Sequence, residues 1–139
     1  MIIPAYNEEE SIFDTVTSIL DYRKKVDFDL DYVVINDGST DKTKKIMEEN
    51  HFNAVHLVMN LGIGGAVQTG YKYALEHDYD VAVQFDGDGQ HDIESLSDLL
   101  EPIRKNEADL VIGSRFVGDV KSEFQTTFMR RFGIGVISN

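Results

Sequence analysis

Short apolar runs rich in β-branched residues recur along this chain, and each is followed by a stretch with helical spacing. The run Asp31-Tyr32-Val33-Val34-Ile35-Asn36 predicts a strand, bounded by turn residues on both sides. Ile2-Ile3 predicts the end of an earlier strand, stopped by Pro4, and Ala54–Met59, Asp80–Phe85 and Ala108–Ile112 predict three later ones. Between them, apolar residues return every three or four positions. Helices are expected over Glu8–Arg23, from the Asp41 turn through Asn50, over Ala66–His77 and over Ile93–Lys105, the last weakened near its end by Pro102. Gly113–Thr127 reads as loop, and Phe128 begins another helix. Such alternation, with strands apolar on both faces, leads to an α/β fold: a mostly parallel, Rossmann-like sheet with helices on both faces.

Ligands of such sheets bind beyond the carboxyl ends of the strands. The polar clusters of this chain fall there: Tyr6-Asn7-Glu8, Asp37, Gly62–Gly65, Asp86–Asp92 and Ser114-Arg115 follow successive strands. Asn7, with Glu10 three residues on, fits a helix cap with its reciprocal partner. In the predicted helix Ala66–His77, Val67, Tyr71, Ala74 and Leu75 form the expected buried stripe.

Composition narrows the partners. The 139 residues are 42% hydrophobic, enough for one domain with a real core. The formal charge of -12 speaks against nucleic acid, which needs a basic footprint, and leaves room for a nucleotide. With no cysteine, disulfides and thiolate metal sites are excluded. No apolar run reaches the roughly 18 residues of a membrane span, and no signal peptide is present, so a cytoplasmic location is expected. Met1-Ile2-Ile3 reads as the tail of a strand, and Arg131–Asn139 as a helix without an exit signal. The expectation is therefore a truncated domain, with room for a membrane segment beyond residue 139.

In Gln84-Phe85-Asp86-Gly87-Asp88-Gly89-Gln90-His91-Asp92, an apolar run opens into two carboxylates two residues apart. On a continuing strand Asp86 and Asp88 face the same way. Their repulsion is relieved by a hard cation, Mg2+ or Mn2+, shared with substrate phosphates. Taken alone, Asp-Gly-Asp-Gly serves equally as a turn. An EF-hand calcium loop fails, because Gln90, His91 and Ser97 stand where it needs an aspartate or asparagine, a glycine and a glutamate. Asp37 serves as a turn or cap residue, or accepts hydrogen bonds from a base or ribose. Gly62-Ile63-Gly64-Gly65 lacks the third glycine of a dinucleotide fingerprint, since Val67 occupies that place, and a P-loop is absent. The glycines permit either close helix–strand packing or, at Gly64, a backbone approach to a ligand. Arg115 is a candidate clamp for a diphosphate. His91 reads as a residue near a helix start, and His51, His56 and His77 show no ligand spacing.

Together, Ile2-Ile3-Pro4-Ala5-Tyr6-Asn7-Glu8-Glu9, Val34-Ile35-Asn36-Asp37-Gly38-Ser39-Thr40-Asp41, Asn60-Leu61-Gly62, Phe85–His91 and Ile112-Gly113-Ser114-Arg115 resemble glycosyltransferase family 2 over almost the whole chain. The Asp-Gly-Asp-Gly-Gln-His form is most similar to the dolichyl- and polyprenyl-phosphate sugar transferase branch. The resemblance implies a GT-A fold, a nucleotide-diphosphate sugar donor, a divalent cation and inversion at the anomeric carbon. By the same resemblance, Pro4, Tyr6, Asn7 and Glu8 line the nucleotide pocket and Asp37 holds the base or ribose. Asp86 sits near ribose and metal, Asp88 and Gln90 join it on the metal, and Arg115 contacts the donor phosphates. The implied acceptor is a lipid phosphate or a growing glycan, with membrane association through regions outside these residues. Asn36 departs from the family pattern, where many members carry an aspartate. The resemblance implies that the acceptor side, with the general base of many members, lies beyond residue 139; none is identifiable within residues 1–139, and a lipid phosphate, already anionic, needs none. The rival readings are a sugar-nucleotide binding module without catalysis and a sugar-phosphate nucleotidyltransferase.

Overall fold

The computed structural model describes residues 1–86 and 93–113. The chain divides into two compact units, Met1–Glu94 and Ser95–Asn139. In the first, β1 (Ile2–Ala5), β2 (Val33–Asn36) and β3 (Ala54–His56) form a parallel sheet in the order β1-β2-β3. The helices are α1 (Ile12–Arg23), α2 (Thr43–Glu49) and α3 (Gly62–Glu76). The segment before Asp86 runs parallel beside β1 on its other edge, through one bridge between Ile2 and Gln84.

This order decides which face each helix covers. The connections β1-α1-β2 and β2-α2-β3 both step the same way across the sheet. The connection from β3 through α3 steps back past β1. Right-handed crossovers therefore put α1 and α2 on one face and α3 on the other. Strand alternation sorts the core accordingly. Ile2, Val33 and Ile35 pack with Ala66 of α3, joined by Val55, Leu57, Tyr73 and Ala82. Ile3 and Val34 point the opposite way and are fully buried, as are Ile12, Val16 and Ile19 of α1 and Met47 of α2.

Several local expectations are corrected. The buried stripe of α3 is Ala66, Gly70 and Ala74, while Leu75 is 78% exposed and Tyr71 45%. The stripe is made of small residues because α3 lies close to β1: a Cβ on Gly70 would stand 2.1 Å from Ile2 Cγ2. The glycines of Gly62–Gly65 do not form a separate turn; they are the first turn of α3. A Cβ on Gly65 would meet Leu61 Cβ at 2.5 Å, so packing accounts for that glycine. Pro4 does not stop β1 but lies within it, opposite Ile35.

Pro4 does limit the next pairing. Ile2 N–H donates to Val83 O (2.7 Å) and Phe85 N–H to Ile2 O (2.9 Å). By alternation Pro4 faces that same edge, and it has no N–H to continue the ladder. The expected strand over Asp80–Phe85 is thus a single bridge. Strand three ends at His56 rather than Met59, and Val58 is fully exposed.

Helix α1 starts later than its periodicity suggests, with Ser11 at its cap position. Asn7 is not the cap: its φ is 56°, outside the extended conformation a cap residue takes, and its side chain is engaged elsewhere. In the second unit, α4 (Leu96–Arg104) carries Pro102 inside it, after a short 3-10 turn at Ile93–Ser95. Ala108–Ile112 forms no strand among the described residues; apolar composition without a ladder partner does not make one. The segment from residue 114 onward, including the rest of the expected Gly113–Thr127 loop and the helix expected from Phe128, lies outside the described residues. Among the described residues no helix is long and apolar enough to cross a membrane.

Candidate functional site

The step back past β1 creates a topological switch point between β1 and the Gln84 segment. Open parallel sheets bind ligands outside the strand ends at such a point. A cleft of about 560 Å³ opens there. Pro4, Ala5, Tyr6 and Glu8 border it from the end of β1, Asp37 from the end of β2, and Gln84 and Asp86 from the neighbouring segment. Gly62, Ile63 and Ala66 bring the start of α3 to it, with Asn60 before them. The positive end of a helix favours an anion at that wall, although the Gly62 N–H itself donates to Asn60 Oδ1 (3.0 Å).

The floor of the cleft is held by Asp37, buried to 3% exposure. Its N–H donates to Ala5 O (2.9 Å), which joins the β2 turn to β1. Its Oδ1 accepts the Leu61 N–H (2.6 Å), and its carbonyl accepts from Asn60 Nδ2 (3.1 Å). Gly38 follows with φ 68°, and a Cβ there would lie 2.7 Å from Asn60 N and 2.8 Å from Met59 C. Only glycine lets the turn pass so close to the chain that leads into α3.

The loops after β1 and β2 are fastened to each other. Asn7 Oδ1 accepts the Thr40 N–H (2.8 Å), and Asn7 N–H donates to Ser39 Oγ (3.0 Å). Glu8 N–H donates to the buried Thr43 Oγ1 (2.8 Å). Asp41 takes the Glu9 N–H (3.2 Å) and the Thr43 N–H (2.9 Å), while Glu9 Oε2 takes the Lys42 N–H (2.9 Å). Burial pushes the Asp41 carboxyl up, but the Thr43 hydroxyl and the Thr43 and Glu9 amides outweigh it and hold the group below its ordinary value.

Of the residues singled out from sequence, the cleft gathers Pro4, Tyr6, Glu8, Asp37 and Asp86. Asn7 stands behind it as a loop latch. Gly64 lies in the first turn of α3 and is not among the cleft-bordering residues; its neighbours Gly62 and Ile63 are. Asp88, Gln90 and Arg115 lie outside the described residues. Sequence reasoning did not single out Gln84, whose Nε2 donates to Asp86 Oδ1 (3.3 Å), or Asn60 as the partner of Asp37. For Asn60 the signal was its place in the Asn60-Leu61-Gly62 motif; for Gln84 nothing but adjacency to Asp86 marked it.

Three carboxylates, Glu8, Asp37 and Asp86, border this one cleft. An anionic phosphate entering it needs positive charge besides the start of α3, and oxygen donors of the Asp86 kind suit a hard divalent cation.

Comparison with known proteins agrees with this geometry. The family model described as glycosyl transferase family 2 matches residues 1–134. The undecaprenyl-phosphate mannosyltransferase of Micrococcus luteus is 40% identical over 121 residues, covering 84% of this chain and 47% of that protein. The UDP-N-acetylglucosamine--dolichyl-phosphate N-acetylglucosaminyltransferase of Methanococcus voltae is 36% identical over 132 residues, covering 83% and 51%. The chain thus spans about half the length of these relatives. The crystal structure of S. aureus TarS 1-349 in complex with UDP-GlcNAc superposes with a TM-score of 0.58 at 27% identity, over 90% of this chain and 37% of that one. The parallel sheet, its switch-point cleft and these matches make the chain a member of glycosyltransferase family 2, with the GT-A fold.

Proposed function

We propose that this chain is the donor-binding part of an inverting glycosyltransferase that moves a sugar from a UDP- or GDP-sugar to a polyprenyl phosphate. The observation that carries the reading is the cleft at the switch point, with buried Asp37 on one side and Asp86 on the other. The names of the mannosyl- and N-acetylglucosaminyltransferase relatives support the lipid-phosphate acceptor.

In this reading Asp37 accepts from an N–H of the base or from ribose hydroxyls through the oxygen not committed to Leu61. Pro4, Tyr6 and Glu8 wall the nucleoside, and the start of α3 at Ile63 faces the diphosphate, the Gly62 N–H being held by Asn60 Oδ1 (3.0 Å). Asp86 would hold Mg2+ or Mn2+, with Asp88 and Gln90 completing the set, and Arg115 would meet the phosphates. Bound there, the cation neutralises charge developing on the leaving diphosphate. The acceptor phosphate oxygen attacks from the opposite face of the sugar, which inverts the anomeric centre and requires no general base. Membrane association belongs to the whole protein in this reading, through its lipid acceptor.

A thermal-shift screen of UDP-, GDP- and dTDP-sugars, with and without Mn2+, tests donor binding in this chain. The right donor raises the midpoint by mass action only when the cation is present. Asp86→Ala and Asp88→Ala are expected to remove the metal-dependent part. No shift with any donor would sink the reading in favour of a structural domain. Transfer to polyprenyl phosphate by a full-length protein would exclude a purely binding module. Release of diphosphate from a nucleoside triphosphate and a sugar phosphate would instead identify a nucleotidyltransferase.

A further inference from the structure

His56 lies opposite Asn36 in the parallel register of β2 and β3. Asn36 Nδ2 and His56 Nδ1 are 2.9 Å apart. The other end of the same amide, Asn36 Oδ1, accepts the N–H of Ser39 at 3.1 Å. These two bonds settle each other's polarity. Only the carbonyl oxygen of Asn36 can receive the Ser39 N–H, so the NH2 end faces the imidazole. His56 Nδ1 must then be an acceptor, and the ring is neutral with its proton on Nε2.

Asn36 is 2% exposed and does not border the cleft. Its connection to the cleft runs through the turn it closes. Ser39 Oγ receives the Asn7 N–H, and the turn between Asn36 and Ser39 carries Asp37 and Gly38. An ionised aspartate at position 36 could accept from Ser39 but could not donate to His56 Nδ1. The asparagine and the histidine form a matched pair.

We propose that His56 is a positioning residue for the nucleotide site: as the Nε2–H tautomer it orients the Asn36 amide, which sets the turn presenting Asp37. The proposal rests on the donor-binding reading for its functional consequence, while the geometry stands on its own measurement.

The test combines nitrogen-15 NMR of the imidazole and of the Ser39 amide with titration of UDP and GDP into the 139-residue chain in the presence of Mg2+. Wild type is expected to show His56 as the Nε2–H tautomer and a protected Ser39 amide. In His56→Leu the acceptor is gone; Ser39 exchange should accelerate about tenfold and affinity for the bound nucleotide should fall about tenfold. In His56→Gln a side-chain carbonyl replaces the acceptor, and both readouts should recover to within about threefold. Rescue by glutamine separates an acceptor requirement from mere filling of space, and it remains measurable if the leucine variant does not fold. An Nδ1–H tautomer in wild type, or a His56→Leu variant with unchanged Ser39 exchange, would overturn the proposal. Wild type binding neither UDP nor GDP would overturn the donor reading alone, because the tautomer and the Ser39 amide still decide the geometry.

Discussion

Asn7 Oδ1 accepts the backbone N–H of Thr40 at 2.8 Å, across loops that are 33 residues apart in sequence. With the return bond from Asn7 N–H to Ser39 Oγ, it clamps the loop after β1 to the loop after β2. Both loops contribute walls to the cleft, Tyr6 and Glu8 from one and Asp37 from the other. The clamp thereby fixes the distance across which a nucleoside would fit.

Asn7 also holds a left-handed backbone, with φ of 56°. Its replacement therefore has two separable costs. Asn7→Ala loses the latch and keeps the strained conformation, and should destabilise by about 2–3 kcal/mol. Asn7→Gly loses the latch alone and should cost about 1 kcal/mol less. Urea denaturation of the two variants measures the difference. Equal losses would mean that the backbone conformation contributes nothing.

Asp37 combines a structural acceptor with a place on the wall of the cleft. Asp37→Asn keeps an oxygen for the Leu61 N–H and should retain stability to within about 1 kcal/mol. It loses the charge-assisted bond to the donor, so UDP or GDP affinity should fall about tenfold. Asp37→Ala leaves the Leu61 amide unpartnered and should lose about 1–3 kcal/mol of stability as well. Calorimetric titration beside urea denaturation separates binding from folding.

The glycines of the site differ in kind. Gly38→Ala combines a φ of 68° with a Cβ 2.7 Å from backbone, and should cost at least about 2 kcal/mol. Gly64 is helical, and a Cβ there meets nothing within 4 Å. Gly64→Ala should be neutral or stabilising by up to about 1 kcal/mol. If it also leaves nucleotide affinity unchanged, Gly64 has no part in holding the donor; a marked loss would show a backbone approach at that position.

Asp41 sets an acid limit on the paired loops. Its carboxyl titrates below the ordinary value of 3.8 in the folded chain, because the bonds from Thr43 and Glu9 outweigh its burial. A depressed folded value means stability that is present in full above the unfolded value and lost as pH falls through the folded one. The stability difference between wild type and Asp41→Ala should therefore be largest near neutral pH and shrink below 3.8. Denaturation curves across that range, with carbon NMR of the Asp41 carboxyl, check both halves of the claim.

Much of this architecture is legible in local chemistry. Val33–Ile35 is β-branched and buried, and it forms the central strand. Ile12, Val16 and Ile19 repeat at helical spacing and are fully buried. The misreadings come where a distant neighbour overrides a local preference. Gly62–Gly65 looks like a turn, yet it is the first turn of a helix that lies against β1, where Gly70 meets Ile2. Asn7 looks like a cap, yet its side chain is taken by Thr40. Asp80–Phe85 looks like a full strand, yet its neighbour on the ladder includes Pro4.

The sequence by itself determined the α/β class, the central apolar strands and the polar clusters at their carboxyl ends, because period and turn chemistry are properties of neighbouring residues. Only the tertiary structure decided that α3 crosses to the opposite face, since that depends on where the Gln84 segment pairs. The same pairing put Asp86 across a cleft from Asp37. It also took the tertiary structure to pair Asn36 with His56. Nothing along the chain links residues twenty positions apart; a parallel register does, by setting β2 and β3 side by side.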